Sequence, residues 1–197
     1  MREIITPGVD AEAFLLRGLR NGYSMQRPLV DPEIAAGVSR ELEWGGYLRD
    51  LVELESTSSF EAKGMQRAHL LHKTLNDMLC EIEDEDTDHL PLFSVRVFEP
   101  GLHGTTVHRN HPSVGPWAIG ITLKGEAPFN VYDQDQLPED SVTPLEGDEF
   151  DPIPAATMNA DAGAGWTLYT KHEFVPHSSG IVASKTQREL LLFSGMQ

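Results

Sequence analysis

The hydrophobic period of this chain changes once, near residue 90, and that change limits the fold more than any other feature. Up to Ile82 the apolar residues recur at steps of three and four. Ile34, Val38, Leu42, Leu48, Leu51 and Val52 follow Asp31-Pro32, an N-cap with Pro at the first helical position. Met65, Ala68, Leu71, Leu75, Met78 and Ile82 follow Ser58-Ser-Phe-Glu61, which has the capping-box form. Gly45-Gly46 is expected to interrupt the first of these segments. Beyond an acidic run from Glu81 to Asp88, Phe93, Val95 and Val97 alternate with Ser94, Arg96 and Phe98 at the step of two of a strand. Short apolar runs follow at 117–123, 129–132, 166–169 and 190–193, separated by Pro and Gly. A helical half (1–82) followed by many short strands (92–195) predicts one α+β domain over residues 1–197, with helices packed against a β sandwich or barrel.

Bulk properties exclude several function classes. A net charge of −16 argues against a phosphate backbone as partner, since such binding requires clustered Lys and Arg. No apolar run approaches the roughly 18 residues of a membrane span, and Met-Arg-Glu-Ile-Ile-Thr-Pro-Gly has no signal-peptide core, so a cytoplasmic protein is expected. The single cysteine, Cys80, sits in a helical pattern and is expected to be a buried, inert thiol. Asp133 to Gly165 carries nine carboxylates, no Lys or Arg, and four prolines. It is expected to be an irregular lid or surface insertion.

The residues able to carry chemistry fall in an ordered set. In Phe98-Glu-Pro-Gly-Leu-His-Gly-Thr-Thr-Val-His108-Arg-Asn110, residues 108 and 110 share a face if the segment is a strand or its end. Val175-Pro-His177 lies 69 positions after His108, and Arg188 opens an apolar strand 11 positions after His177. Two imidazoles and an amide oxygen are potential metal ligands, although spacing alone also fits ordinary surface or core histidines. His103, in a Pro-Gly turn, and His172, in Lys171-His-Glu173, are weaker candidates, and His69 and His72 are explained by a helix surface.

This order resembles the 2-oxoglutarate/Fe(II) dioxygenases, particularly their AlkB-like and prolyl-hydroxylase-like branches. Val95 to Asn110 is similar to their strand, Pro-Gly turn and His-x-Asp motif, and Trp117 to Gly125 with Phe129-Asn-Val-Tyr132 to the strand pair that follows. Gly165 to Tyr169, His177 and Arg188-Glu-Leu-Leu-Leu-Phe resemble the C-terminal part, so the likeness covers about residues 92–195. It implies a double-stranded β-helix (jelly roll) with N-terminal supporting helices, Fe(II) and 2-oxoglutarate as cofactors, and oxidation of a small or medium-sized molecule or peptide. By position it implies His108, Asn110 and His177 as catalytic metal ligands, and Arg188 as the partner of the distal carboxylate of 2-oxoglutarate, with Lys185 as substitute. Asn110 departs from the motif, because an amide coordinates without supplying charge. A relative that binds ligand without turnover is therefore the alternative, as is a cupin-type metal protein, which the chain also resembles at Pro100-Gly101 to His108, Lys124-Gly-Glu126 and Val175-Pro-His177. For the cupin pattern His111 stands one position out of phase. Asp133 or Asp135 would be replacements for the missing carboxylate.

Overall fold

The computed structural model describes residues 4–48, 54–101, 103–110, 114–136, 152–170, 175–182, 185 and 187–196. Four helices precede most of the sheet: α1 (Ala11–Asn21), α2 (Pro32–Trp44), α3 (Ser58–Ala62) and α4 (Gln66–Glu83). Asp10 caps α1 through the Ala13 N–H, and Asp31 caps α2 through the Glu33 N–H, with Pro32 just inside. α2 ends where Gly45 begins, as the glycine pair predicts.

The capping box at Ser58 does not form. The residue before α3 is Thr57, in a helical conformation without a side-chain cap, and Gly64 at φ 70° breaks the segment before α4 begins. Left-handed backbone at Gly64 separates what the periodicity reads as one helix.

Two sheets follow. The larger has the order β1-β8-β5-β10-β3-β2, formed by Tyr23–Gln26 (β1), Gly165–Tyr169 (β8), Val114–Lys124 (β5), Arg188–Met196 (β10), Leu92–Phe98 (β3) and Glu55–Ser56 (β2). The smaller has the order β4-β9-β6-β7, formed by His103–His108, His177–Ile181, Ala127–Val131 and Ala156–Ala160. All pairings are antiparallel. The strands alternate between two facing sheets, which makes the domain a double-stranded β-helix supported by helices.

Three expectations need correction. Residues 1–82 are not purely helical: β1 and β2 pair with β8 and β3 at the two edges of the larger sheet. Within 133–165, Gln134–Gln136 forms a 3-10 turn, and Ala156–Ala160 is a regular strand in register with β6 despite the prolines before it. Pro152 and Pro154 precede the first hydrogen-bonded residue, so no ladder bond is lost. The stretch 137–151, which holds most of the acidic residues, lies outside the described residues. Cys80 is half-buried rather than buried, and its thiol donates to the Thr87 carbonyl at 3.2 Å.

Alternation in the central strands divides the core in two. Phe93 and Val95 on β3, Trp117, Ile119 and Ile121 on β5, and Leu191 and Phe193 on β10 pack under the helices with Phe14, Leu42, Phe60, Leu71 and Leu75. The opposite faces of the same strands carry Ala118, Leu190 and Leu192, which meet Phe129, Val131 and Trp166 between the sheets. The second core is interrupted by the polar side chains of Ser94, Arg96, His108, His177 and Ser179, which line a cavity.

Glycine at position 120 sets the shape of this inner core. Gly120 pairs with Trp166 across β5 and β8, and a Cβ there would collide with the indole. Gly120→Val is expected to lower stability by about 1–3 kcal/mol through overpacking and to shift the emission of Trp166, measured by urea denaturation followed by fluorescence.

Candidate functional site

His108 ends β4 and His177 begins β9, and the two are paired directly across the strands. Their ring centroids are 4.4 Å apart. Both rings line one cavity, and Asn110, two residues beyond His108, lines it too. Arg109 between them turns away from it, is buried, and donates from Nη2 to the Gln134 carbonyl at 2.9 Å. That bond ties the end of β4 to the turn after β6.

Each imidazole is oriented by its own backbone. Nδ1 of His108 lies 2.8 Å from the Thr106 carbonyl, and Nδ1 of His177 lies 3.0 Å from the Val175 carbonyl. A carbonyl only accepts, so Nδ1 carries the hydrogen in both rings and Nε2 keeps a lone pair. Burial holds His177 far below the ordinary imidazole range, at about 3, reinforced by His108 and by the charge of Arg96. His108 is lowered too, chiefly by burial, with a contribution from Arg96. Both rings are thus neutral at neutral pH, in the protonation state a metal requires.

A pH experiment reads this burial directly. In the unfolded chain His177 returns to about 6.5, so between 6.5 and 3 the unfolded state binds the extra proton. Its contribution is complete above pH 6.5 and is lost as pH falls, at about 1.4 kcal/mol per pH unit. Metal-free wild type is therefore expected to lose about 2 kcal/mol more between pH 7 and pH 5 than His177→Gln, by urea denaturation at both values.

The cavity beside the pair has a volume of about 230 Å³, the size for a small molecule. Phe129 and Trp166 stack at 4.5 Å with 6° between their planes, and both rings lie within about 6 Å of His177. Leu190 and Leu192 from β10 continue the apolar wall, while Ser94, Arg96, Thr105, Ser179 and Ser194 add polar groups. No Asp or Glu is among the described lining residues.

Arg188 is completely buried and stands behind this wall rather than in it. It donates from Nη1 to the Ser179 hydroxyl, which does line the cavity, and from Nη2 to Thr122 Oγ1 at 3.2 Å. Its Nε has no partner, and burial pushes its pKa down to about 10. Among the described residues no carboxylate pairs with it. The next residue on the strand, Glu189, faces the helices, where Lys124 supplies its counter-charge and the Ser39 hydroxyl donates to it.

The remaining candidates separate plainly. Lys185 is exposed. Asp133 and Asp135 are exposed and outside the cavity lining, and the described residues contain no cluster of three His, Cys, Asp or Glu suited to a metal. His72 lies on α4, bonded to Asp88 and packed against Phe193. The His103 side chain, His111 and His172 lie outside the described residues. Sequence reasoning missed Arg96, Ser179 and Thr122. The available signal was an Arg and a Ser alternating with apolar residues on β3, which reads equally well as a solvent face.

Two neutral imidazoles with both Nδ1 atoms tied back, and an amide oxygen nearby, fit a divalent iron site with open positions but one negative charge fewer than two imidazoles and a carboxylate.

No protein-family model matches the chain, and no curated protein sequence does. Solved structures do. A Pseudomonas putida prolyl-4-hydroxylase superposes with a TM-score of 0.62 at 11% identity, covering 99% of this chain and 97% of that one. EvdO2 from Micromonospora carbonacea var. aurantiaca, complexed with 2-oxoglutarate, gives 0.61 at 12% identity, with coverage of 98% and 93%. The epimerase SnoN, in complex with Fe3+, alpha ketoglutarate and nogalamycin RO, gives 0.62 at 16% identity, with coverage of 94% and 83%. At these identities the likeness is one of fold, and it extends over nearly the whole chain: helices and sheets together are shared with enzymes of this architecture.

Proposed function

We propose that this protein is a 2-oxoglutarate- and Fe(II)-dependent oxygenase acting on a small or medium-sized molecule or peptide. The observation that carries the reading is the cross-strand pair His108 and His177, each with Nδ1 bonded to a backbone carbonyl, opening into a cavity backed by a buried, carboxylate-free Arg188. His108, His177 and the amide oxygen of Asn110 would hold the metal. When bound, iron with 2-oxoglutarate supplies oxidation of a C–H bond coupled to decarboxylation of the co-substrate.

The chain's own residues do the positioning. Arg188, with Ser179, offers a charge-assisted site for the distal carboxylate. The stacked Phe129 and Trp166 and the leucines of β10 exclude water from the metal side of the cavity. Two of the matching structures hold 2-oxoglutarate or alpha ketoglutarate, one of them with iron, in the same overall architecture.

Asn110 favours one second reading, a ligand-binding relative without turnover. Iron titration followed by succinate release separates the two. Succinate formed in proportion to iron supports the oxygenase; binding of metal and 2-oxoglutarate with no succinate supports the silent relative. Absence of 2-oxoglutarate binding overturns both.

A further inference from the structure

Arg96 has no role in the reading above, yet it lies in the site. On β3 it sits between Ser94 and Phe98 on the inward face, pairs with Leu190 of β10, and lines the cavity shared by His108 and His177. Its Nε is buried without a hydrogen-bond partner, and no carboxylate forms an ion pair with it among the described residues. Arg96 is half-buried, and a guanidinium partly taken out of water without a counter-charge is costly. The cost is the more informative because this chain carries 31 carboxylates against 15 Lys and Arg, so anionic side chains are abundant elsewhere.

A charge inventory shows what is missing. Among the described residues two guanidiniums belong to the site, Arg96 in the wall and Arg188 behind it; the imidazoles, with Nδ1 bonded to backbone carbonyls, are neutral, and Asn110 supplies no charge. Under the reading above, Arg188 takes one carboxylate of 2-oxoglutarate. One cation remains, beside an apolar wall of Leu190, Leu192 and Phe129. A carboxylate on an apolar body matches both features, with the charge at Arg96 and the body along the leucines.

We propose that Arg96 is a specificity-determining residue that holds a carboxylate of the substrate, so that the cavity selects a small organic acid with an apolar body. The assignment of Arg188 to 2-oxoglutarate rests on the proposed function; the anion site at Arg96 rests on its own geometry.

Hexanoate and its uncharged counterpart hexanamide are suitable probes, titrated calorimetrically into anaerobic protein loaded with Fe(II), with and without saturating 2-oxoglutarate. Wild type is expected to bind hexanoate at least about tenfold more tightly than hexanamide. Arg96→Gln should erase that preference, and Arg96→Lys should keep part of it. The affinity of Arg96→Gln for 2-oxoglutarate should stay within about threefold of wild type, as expected for a contact the co-substrate does not use. Its urea midpoint should equal or exceed that of wild type, because an unpaired cation has been removed.

The proposal is overturned if wild type shows no preference for hexanoate, or if the preference survives in Arg96→Gln. It is also overturned if Arg96→Gln loses 2-oxoglutarate as severely as an Arg188 variant, which would assign Arg96 to the co-substrate. If wild type binds no 2-oxoglutarate but discriminates hexanoate through Arg96, the oxygenase reading fails and the anion site stands.

Discussion

Arg188→Ala is expected to reduce 2-oxoglutarate affinity by about 30-fold to several thousandfold, equivalent to about 2–5 kcal/mol for a buried charge-assisted contact. The variant also removes the donor to two hydroxyls, Ser179 and Thr122, and empties a space that is completely closed to solvent. Stability should therefore change along with binding. Arg188→Lys keeps the charge but not the planar fork that reaches both hydroxyls at once, and should weaken binding less than alanine. Calorimetry with 2-oxoglutarate, together with urea denaturation of each variant, separates the effects. Equal 2-oxoglutarate affinity in Arg188→Ala and wild type would remove the co-substrate assignment and leave the fold alone standing.

Asn110→Asp is expected to tighten Fe(II) binding by about 2 kcal/mol or more, roughly 30-fold. A carboxylate beside a divalent ion gains Coulomb attraction that a neutral amide lacks, and the half-buried cavity screens it less than bulk water does. Arg96 lines the same cavity and, as a cation, opposes binding of a second cation there. Combining Asn110→Asp with Arg96→Gln should therefore bind iron more tightly than Asn110→Asp alone, a coupling that a double-mutant cycle measures. Unchanged iron affinity in Asn110→Asp would show that residue 110 does not face the metal.

Much of the candidate site was legible because it is built from few residue types in a fixed order along the strands. His108 and Asn110 two apart, His177 after a Pro, and Arg188 at the head of a strand were all readable as residues. The cross-strand pairing of His108 with His177 was not, because their separation of 69 positions carries no geometry by itself. The prolines before β7 illustrate the other limit. Pro152 and Pro154 argue locally for irregular chain, yet Ala156–Ala160 becomes a strand because β6 offers a free edge. Similarly, Tyr23–Gln26 has no pattern of its own and is a strand only because β8 pairs with it.

The sequence by itself determined the change from helices to strands and the two faces of each central strand, since side-chain alternation and helical spacing are local properties of the chain. It also determined which side chains were available to the candidate site. Only the tertiary structure decided what each face meets. The Ser94, Arg96, Phe98 face reads as a solvent face until the second sheet closes over it and turns Arg96 into a cation inside a cavity. Arg188 likewise becomes a fully buried group only when Ser179, from the opposite sheet, arrives to accept from it. Burial, and with it the lowered pKa of His177, comes from that closure, because desolvation depends on everything packed around a group and on nothing in its own sequence neighbourhood.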